Sequence, residues 1–323
     1  MKIIFFILIS LSLYANNILT NYRINGINSV EKQMDLELTK NEYWSEYLKT
    51  IDTTFGYLES SPKVLTCNKD ASTLNLYIKD TNNTYSFIKT YNAFTGKIKG
   101  DKIKEGDLIT PIGIYKILKK LTRENKLDSF YGPLAFVTSY PNTYDTFRGK
   151  NGHGIWIHGL PTEQTRDEFT KGCIAIDNQN IECLSNRIDI QNTILIIDAN
   201  KIKQNISKEI LSSILSELFV WRYAWLYDDI DAYLSFYSNK FVRNDGMTIQ
   251  RFKKYKTRIF KKLEKKTIIF NNINVIPYPN SDDIYQITFK EYYKSDTFKF
   301  IGDKILIVKV DKNNKKIKII TEK

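Results

Sequence analysis

The chain has 323 residues, 42% of them hydrophobic, and its 48 Lys and Arg residues outnumber 36 Asp and Glu to give a formal net charge of +12. This length exceeds one ordinary domain, the apolar content is ample for two cores, and there is no long low-complexity segment. Two His and three Cys do not form a zinc-type spacing, and no phosphate-cradling glycine loop occurs, so we expect no metal and no cofactor.

The first 15 residues have the pattern of a secretory signal peptide. Met1-Lys2 supplies a charged start, an apolar run follows over 3–13, and Ala15 is a small residue at a suitable cleavage point. The run is too short to cross a bilayer, which needs about 20 residues. We therefore predict export to the periplasm and cleavage after Ala15, with an uncleaved membrane anchor as the alternative.

Residues 16–60 are predicted to form an N-terminal helical segment. Apolar residues recur at helical spacing over 29–50, among charged side chains. We expect this helix to pack on the catalytic domain or on a second copy of the chain, which would make a homodimer.

Residues 61–200 are predicted to be mostly β. Short stretches rich in β-branched and aromatic residues alternate with polar turns, such as the loop over 80–84. The predicted strands cover 64–66, 74–78, 85–89, 112–118, 134–138, 154–158 and 193–198.

Two residues in this part are candidates for nucleophilic catalysis. Cys173 follows Gly172, and His158, which lies upstream, precedes Gly159. A thiolate is the reactive form of Cys, and a nearby His can generate it at neutral pH. The same residue types also occur as a small buried hydrophobe and as an ordinary polar residue, so the pair alone does not decide the function.

The surrounding motifs resemble the L,D-transpeptidase catalytic domain, also called the YkuD type. That family has a His-Gly, a spacer and then Ser/Thr-x-Gly-Cys, which is similar to His158-Gly159 and Thr170-Lys171-Gly172-Cys173. Upstream, Thr110-Pro111-Ile112-Gly113-Ile114-Tyr115 resembles the family's Thr-Pro-x-Gly-x-Tyr/Phe motif, and Thr95-Gly96-Lys97 resembles the preceding turn. The resemblance covers roughly 63–200 and implies a β-sandwich.

The resemblance also implies an activity on peptidoglycan stem peptides. Cys173 would attack the L,D peptide bond, His158 would act as general base, and the Gly159 carbonyl would be the third catalytic member. The amides of Gly172 and Cys173 would form the oxyanion hole. The acyl-enzyme would then pass to an amine, which is transpeptidation, or to water, which is carboxypeptidation.

Two positions depart from the family pattern. Lys171 stands where most members have His, and Ala175 stands where many have Arg. The missing Arg leaves the anchoring of the substrate carboxylate to other residues. Candidate substrate-binding residues, each of which also fits an ordinary surface or core role, are Arg148, Arg166, Lys171, Trp156 and Tyr131.

Residues 205–323 are predicted to form an α+β domain. Helical patterns over 210–227, 229–237 and 248–263 precede strands over 267–275, 284–292, 297–301, 305–310 and 316–320. This order resembles an NTF2-like cone, for which the best local cue is the segment 227–234.

Most of the positive charge lies in this third part. From residue 203 onward there are 24 Lys and Arg against 14 Asp and Glu, many of them in the run 251–266. A basic helix is most often a solvated face, but it also fits binding to wall glycan or peptide, or to an anionic membrane surface. The export signal argues against nucleic acid.

The complete arrangement resembles the cell-shape-determining L,D-carboxypeptidases of helical and curved Gram-negative bacteria. That resemblance implies trimming of tetrapeptide stems to tripeptides with release of D-alanine. A cross-linking or protein-anchoring transpeptidase and a non-catalytic wall-binding protein remain the alternatives. Whether Cys67 and Cys183 form a disulfide is left open by the sequence.

Overall fold

The computed structural model of the protein describes residues 17–163, 168–200, 202–311 and 313–323. The predicted signal peptide and Arg166 lie outside the described residues. Among the helices that are described, none combines the length and the apolar character that crossing a bilayer requires.

The N-terminal segment is helical and packs on the C-terminal domain. Its helices are α1 (17–25), α2 (Ile27–Leu38) and α3 (Asn41–Tyr47), followed by a 3-10 turn over Leu48–Thr50. The Trp44 ring stacks on Phe219 at 5.2 Å between centroids. The helices thus pack on the C-terminal domain, so the expected packing on the catalytic domain is wrong, while a role in a homodimer stays a prediction.

The middle part is a closed β-barrel, which confirms its predicted mostly-β character. Its strands hydrogen-bond in the circular order β2-β3-β4-β8-β7-β6-β5-β9. Alternate apolar residues of these strands fill the interior, so residues such as Leu65, Leu195 and Ile174 are fully buried. The elements are β2 (Lys63–Asn68), β3 (Thr73–Lys79), β4 (Tyr85–Phe94), β5 (Gly113–Thr122), β6 (Leu134–Thr138), α4 (Thr143–Phe147), β7 (Trp156–His158), β8 (Ile174–Ile176), α5 (Asn178–Ser185) and β9 (Thr193–Asp198).

The C-terminal part has the predicted α+β architecture. Helices α6 (Lys208–Leu226), α7 (Ile230–Ser235) and α8 (Ile249–Phe260) pack on one face of a five-stranded antiparallel sheet. The sheet has the order β1-β10-β11-β12-β13 and is formed by β1 (Tyr57–Leu58), β10 (Thr267–Pro277), β11 (Ile284–Lys294), β12 (Lys299–Val310) and β13 (Ile317–Glu322).

Two details of this sheet differ from the sequence expectation. The predicted strands over 297–301 and 305–310 form the single strand β12, because each residue from Lys299 to Lys309 pairs with β11 without a break in register. Gly302, Asp303 and Lys304, which lie between the two predicted strands, pair with β11 and are part of the same ladder. Strand β1, from the segment expected to be helical, adds an edge to the same sheet through pairing with β10.

The barrel rests on the sheet face that the helices leave free. Ile114 and Ile194 of the barrel share a buried cluster with Ile276 and Ile307 of the sheet. Asn142 Nδ2 also donates to the Tyr278 hydroxyl at 2.9 Å. Apolar packing and polar contacts therefore join the two domains.

Candidate active site

Parallel pairing of β7 with β8 brings the two candidate catalytic segments together. Ile157 pairs with Ile174 and His158 pairs with Ala175, so Cys173, the residue before β8, lies level with Trp156 on the neighbouring strand, two positions from His158. A parallel pair needs a long crossover, which the chain provides between 159 and 173. Two segments that are separated in the sequence thereby become neighbours on adjacent strands.

The Cys173 side chain is partly exposed, and its thiol donates to the Gly154 carbonyl at 3.3 Å. Burial raises the pKa of the Cys173 thiol to about 11, although the Trp156 backbone N–H and the charge of Lys102 act in the opposite direction. The sulfur is therefore a neutral thiol near pH 7, so a role as nucleophile would require a base to take its proton.

His158 is buried and its ring is fixed from two sides. Nδ1 lies 2.6 Å from the Gly159 carbonyl oxygen. Because a carbonyl can only accept, Nδ1 carries the proton and Nε2 is left as the basic nitrogen. The Tyr131 ring meets the imidazole edge-on at 5.1 Å between centroids. The predicted partner of the imidazole, Gly159, is thus in hydrogen-bond contact with it.

The loop before Cys173 is anchored to both upstream motifs. Thr170 pairs with Gly96 in a parallel bridge, and its hydroxyl donates to the Cys173 carbonyl at 2.7 Å. The Gly96 amide donates to Thr110 Oγ1 at 2.8 Å. A Cβ on Gly96 would lie 2.5 Å from the Leu108 carbonyl oxygen, so only glycine fits this close approach. The motifs that carried the family resemblance therefore meet around one loop.

The two amides proposed for the oxyanion hole differ in their contacts. The Gly172 amide donates to Thr170 Oγ1 at 3.1 Å. The Cys173 amide makes no hydrogen bond with the described residues, which leaves it available to a ligand. Gly172 also has a φ of +132°, a conformation that side chains disfavour.

Two further residues shape the site and were not predicted from the sequence. Lys102 is buried with its Nζ 2.6 Å from Asp107, and its charge favours the Cys173 thiolate. Asn178, the first residue of α5, accepts a hydrogen bond from the Leu160 amide at 2.7 Å and closes over Gly159. Neither residue carried a signal in the sequence, because Lys102 lies on a loop and Asn178 at the start of α5, and no local motif marks either position.

The candidate substrate-binding residues separate into two groups. Tyr131 and Trp156 lie together beside His158, with ring centroids 4.8 Å apart. Lys171 is exposed next to Gly172 and forms no hydrogen bond or ion pair with the described residues.

Arg148 lies in a different environment. Its guanidinium binds Asp101 at 3.1 Å and Asp145 at 3.0 Å, and it covers the ring of Tyr278 from the C-terminal domain. The guanidinium charge is thus paired with carboxylates of the chain itself, and Arg148 links the two domains in this structure.

The other two cysteines are both free thiols. Cys67 is buried in β2, and Cys183 is half-buried in α5. In the described structure they are not joined by a disulfide.

A second concave site of about 630 Å³ lies in the C-terminal domain. Lys256 is 9% exposed there, with its Nζ 4.6 Å from the Trp225 ring centroid, and burial lowers its pKa to about 8. Glu322 accepts from Tyr237 at 3.0 Å and pairs with Lys304 at 3.3 Å. Burial raises the pKa of Glu322, but the nearby lysines outweigh it and hold the pKa below its ordinary value. The cavity thus combines charges of both signs with aromatic walls.

Comparisons with known proteins identify both domains. The family model of the L,D-transpeptidase catalytic domain (YkuD) matches residues 62–197, and the model of the Cds6 C-terminal NTF2-like domain matches residues 213–323. No curated protein sequence matches the chain significantly.

Solved structures match over most of the chain. The helical cell shape determining protein Pgp2 from Campylobacter jejuni is 35% identical over 88% of this chain and 99% of its own, with a TM-score of 0.79. A point mutant of Pgp2 gives 35% identity over 89% and 99%, with a TM-score of 0.81. Bd1075 from Bdellovibrio bacteriovorus is 25% identical over 84% and 97%, with a TM-score of 0.65.

The catalytic-domain match makes the chain an enzyme of the L,D-transpeptidase family, and the likeness to Pgp2 extends over both domains. The chain therefore belongs to the family of L,D-transpeptidase-domain proteins with a Cds6-type NTF2-like C-terminal domain that includes the helical cell shape determining protein Pgp2.

Proposed function

We propose that this protein is a periplasmic peptidoglycan L,D-carboxypeptidase that removes the terminal D-alanine from tetrapeptide stems and so influences cell shape. The observation that carries the proposal is the pairing of the His158 strand with the strand that follows Cys173, inside an L,D-transpeptidase domain. The likeness to a cell shape determining protein over both domains supports the biological role.

In the proposed reaction, Cys173 Sγ attacks the carbonyl carbon of the third stem residue while His158 Nε2 takes the thiol proton. The Gly159 carbonyl, which accepts from Nδ1, stabilises the imidazolium that forms. The imidazolium then protonates the leaving nitrogen, which breaks the peptide bond and releases D-alanine. Water hydrolyses the thioester with His158 again as base, which yields the tripeptide and the free thiol.

The oxyanion of the tetrahedral intermediate would be held by the Cys173 amide, which is uncommitted among the described residues. Gly172 would join it only if its amide leaves Thr170 Oγ1 when substrate binds. Tyr131 and Trp156 would form the wall against which the stem peptide lies. Of the candidate cations that the structure describes, Lys171 is the better placed to meet a substrate carboxylate, because it is exposed beside Gly172 whereas Arg148 is paired with Asp101 and Asp145.

The product mixture tests carboxypeptidation against transpeptidation. Purified sacculi are digested with the protein, and the muropeptides are separated. We expect tetrapeptide monomers to fall while tripeptides and free D-alanine rise. New tripeptide–tripeptide or tetrapeptide–tripeptide dimers would instead identify a transpeptidase.

Substitution of the nucleophile tests the catalytic assignment and the non-catalytic alternative. Cys173→Ala and His158→Ala are each expected to lower D-alanine release at least about a thousandfold. Cys183→Ala and His153→Ala are matched controls, because Cys183 is another free thiol and His153 is an exposed imidazole. Near wild-type release by Cys173→Ala would contradict the proposal and favour a wall-binding protein without catalysis.

Export is proposed from the first 15 residues of the sequence. The mature protein recovered from a periplasmic extract should begin after Ala15, which N-terminal sequencing can read directly. A chain retained at the membrane with its first residues intact would instead identify an uncleaved anchor.

The C-terminal cavity supports a second role, which is binding of a wall peptide. Its opposed charges, Lys304 and Glu322 among them, suit a ligand that carries both a carboxylate and an amine. Titration calorimetry with a soluble stem peptide should show weaker binding in Lys304→Ala, whereas Lys299→Ala, on the same strand outside the cavity, should bind as wild type. Binding to anionic vesicles instead would point to the basic face of α8.

A further inference from the structure

Another cavity, of about 540 Å³ and distinct from the concave cavity of the C-terminal domain, lies between the barrel and the sheet of that domain. This volume is within the range of about 300–1,000 Å³ that is typical of small-molecule sites. Its walls come from β5 and the segment before α4 on one side, and from β10, β11 and β12 on the other. It shares Asn244, Asp303 and Lys323 with the concave cavity of the C-terminal domain, so the two cavities adjoin.

Gln286, in β11, is one of the polar residues that line this cavity. Its neighbours across the sheet are Ile276 and Ile307, both of which belong to the apolar cluster between the domains. Tyr285 and Ile287, on either side of it in β11, face the helices, so the alternation of the strand directs Gln286 toward the barrel.

Three buried polar side chains that line this cavity lack a hydrogen-bond partner among the described residues, although most of the other polar lining residues have one. The side chains of Ser61, Thr143 and Gln286 are 5%, 4% and 8% exposed, line the cavity and make no hydrogen bond with any other described residue. None of their polar atoms is completely buried, so these hydroxyl and amide groups reach the open volume of the cavity. Unpaired hydroxyl and amide groups pointing into a cavity are what a hydrogen-bonding ligand requires.

The charge of the cavity restricts the class of ligand. Most of its polar lining consists of Ser, Thr, Asn and Gln side chains. Of the charged lining residues, Lys116 pairs with Asp303 at 3.1 Å, which leaves Lys323. There is no cluster of cations for a phosphate or a carboxylate in this part of the described structure. Hydroxyls and amides both donate and accept, which matches the hydroxyl and N-acetyl groups of an uncharged sugar.

We propose that the cavity between the two domains binds the N-acetylated glycan of the cell wall. This inference rests on the proposed function for the choice of polymer, and it assigns the uncharged glycan to this cavity and the charged peptide to the adjoining one. Simultaneous occupation of both cavities would hold the wall polymer at two points.

The test measures binding of a peptide-free β-1,4-linked N-acetylglucosamine tetramer by titration calorimetry. The protein carries Cys173→Ala, so the measurement is independent of catalysis and stays informative whether or not D-alanine release is found. We expect the double variant Gln286→Leu with Thr143→Val to bind at least about tenfold more weakly, because it removes hydrogen-bonding groups while retaining similar side-chain volume.

Gln250→Leu is the matched control, because Gln250 is exposed on α8 outside both cavities. The double variant should unfold at about the same temperature as the parent, because the groups that it removes make no hydrogen bond with any other described residue, and this excludes misfolding as the cause. Three outcomes would overturn the proposal: no binding by the parent, equal binding by the double variant, or loss of binding by Lys304→Ala alone, which would put the sugar in the concave cavity.

Discussion

At the scale of single residues, the reactivity of Cys173 depends on its surroundings more than on its chemistry. Burial raises the pKa of its thiol to about 11 from an ordinary value of 9.0. Between pH 9 and about pH 11 an ordinary cysteine is mostly a thiolate, whereas Cys173 is still mostly protonated. The proposed mechanism therefore uses transfer of the proton to His158 during attack and does not require a resting thiolate.

This pKa makes a prediction for the free enzyme. The rate of alkylation of Cys173 by iodoacetamide should stay low at neutral pH and rise toward pH 11, because only the thiolate reacts. Mass spectrometry of the labelled protein over a pH series measures it, with Cys183→Ala removing the other partly exposed thiol. A rate that reaches its plateau near pH 7 would indicate a resting thiolate–imidazolium pair.

Lys171 provides a second prediction at this scale. Lys171→Ala should raise KM for a tetrapeptide substrate about tenfold with little change in kcat, because a substrate carboxylate would lose a partner that it contacts throughout the reaction. Steady-state release of D-alanine measures both constants. Lys119→Ala is the matched control, since Lys119 is exposed on the same barrel. An unchanged KM in Lys171→Ala would assign carboxylate binding to another residue.

At the scale of elements, helix α5 supports the backbone that follows His158. Asn178 begins this helix, and its side chain accepts from the Leu160 amide directly after the His158-Gly159 pair. The barrel strands align the two catalytic segments, while α5 fixes the backbone carbonyl that orients the imidazole. A short helix with no catalytic group of its own therefore contributes to the geometry.

Replacing Asn178 should separate this positioning from stability. Asn178→Ala is expected to lower kcat about tenfold, because the Gly159 carbonyl loses its support, and to lower the free energy of unfolding by about 1 kcal/mol, the contribution of one hydrogen bond. Kinetics together with urea denaturation measure the two effects. Asn180→Ala on the same helix, whose side chain contacts only exposed Lys89 among the described residues, should leave kcat unchanged. Loss of stability without loss of kcat would contradict the positioning role.

At the scale of the whole molecule, the N-terminal segment belongs to the C-terminal core. Trp44 is 5% exposed against Phe219, and the buried Asp35 carboxylate binds Arg222 at 2.8 Å and Tyr227 at 3.0 Å. The chain thus crosses from the C-terminal domain to the barrel and back again. This path ties the two domains together in addition to their shared apolar interface.

Trp44→Ala should therefore destabilise the domain farthest from it in sequence. We expect the free energy of unfolding to fall by about 3–5 kcal/mol, the usual cost of truncating a buried aromatic residue. Hydrogen exchange should increase in α6 and β10, while β7 and β8 remain protected. Tyr43→Ala is the control, because Tyr43 is 37% exposed on the same helix. Equal effects of the two substitutions, or exchange spreading first through the barrel, would contradict this assignment.

The sequence by itself determined the α+β class, the mostly-β middle part and the C-terminal order of helices and strands. Each of these features depends on a local periodicity, and residues that are close together in the sequence determine that periodicity. It also identified Cys173 and His158 as candidates, because short glycine-containing motifs can be recognised in the sequence without knowledge of the fold. Their catalytic roles stay predictions for the substitutions described above.

Only the tertiary structure decided which distant residues meet. Lys102 reaches the active site on a loop and Asn178 at the start of α5, and no local motif marks either position. The Arg148 guanidinium contacts Asp101, Asp145 and the Tyr278 ring. Strand β12 stays extended across a polar stretch because the ladder with β11 is continuous. The cavity between the domains exists only once both surfaces are packed. Contacts of this kind depend on the sum of many long-range interactions, which no local pattern records.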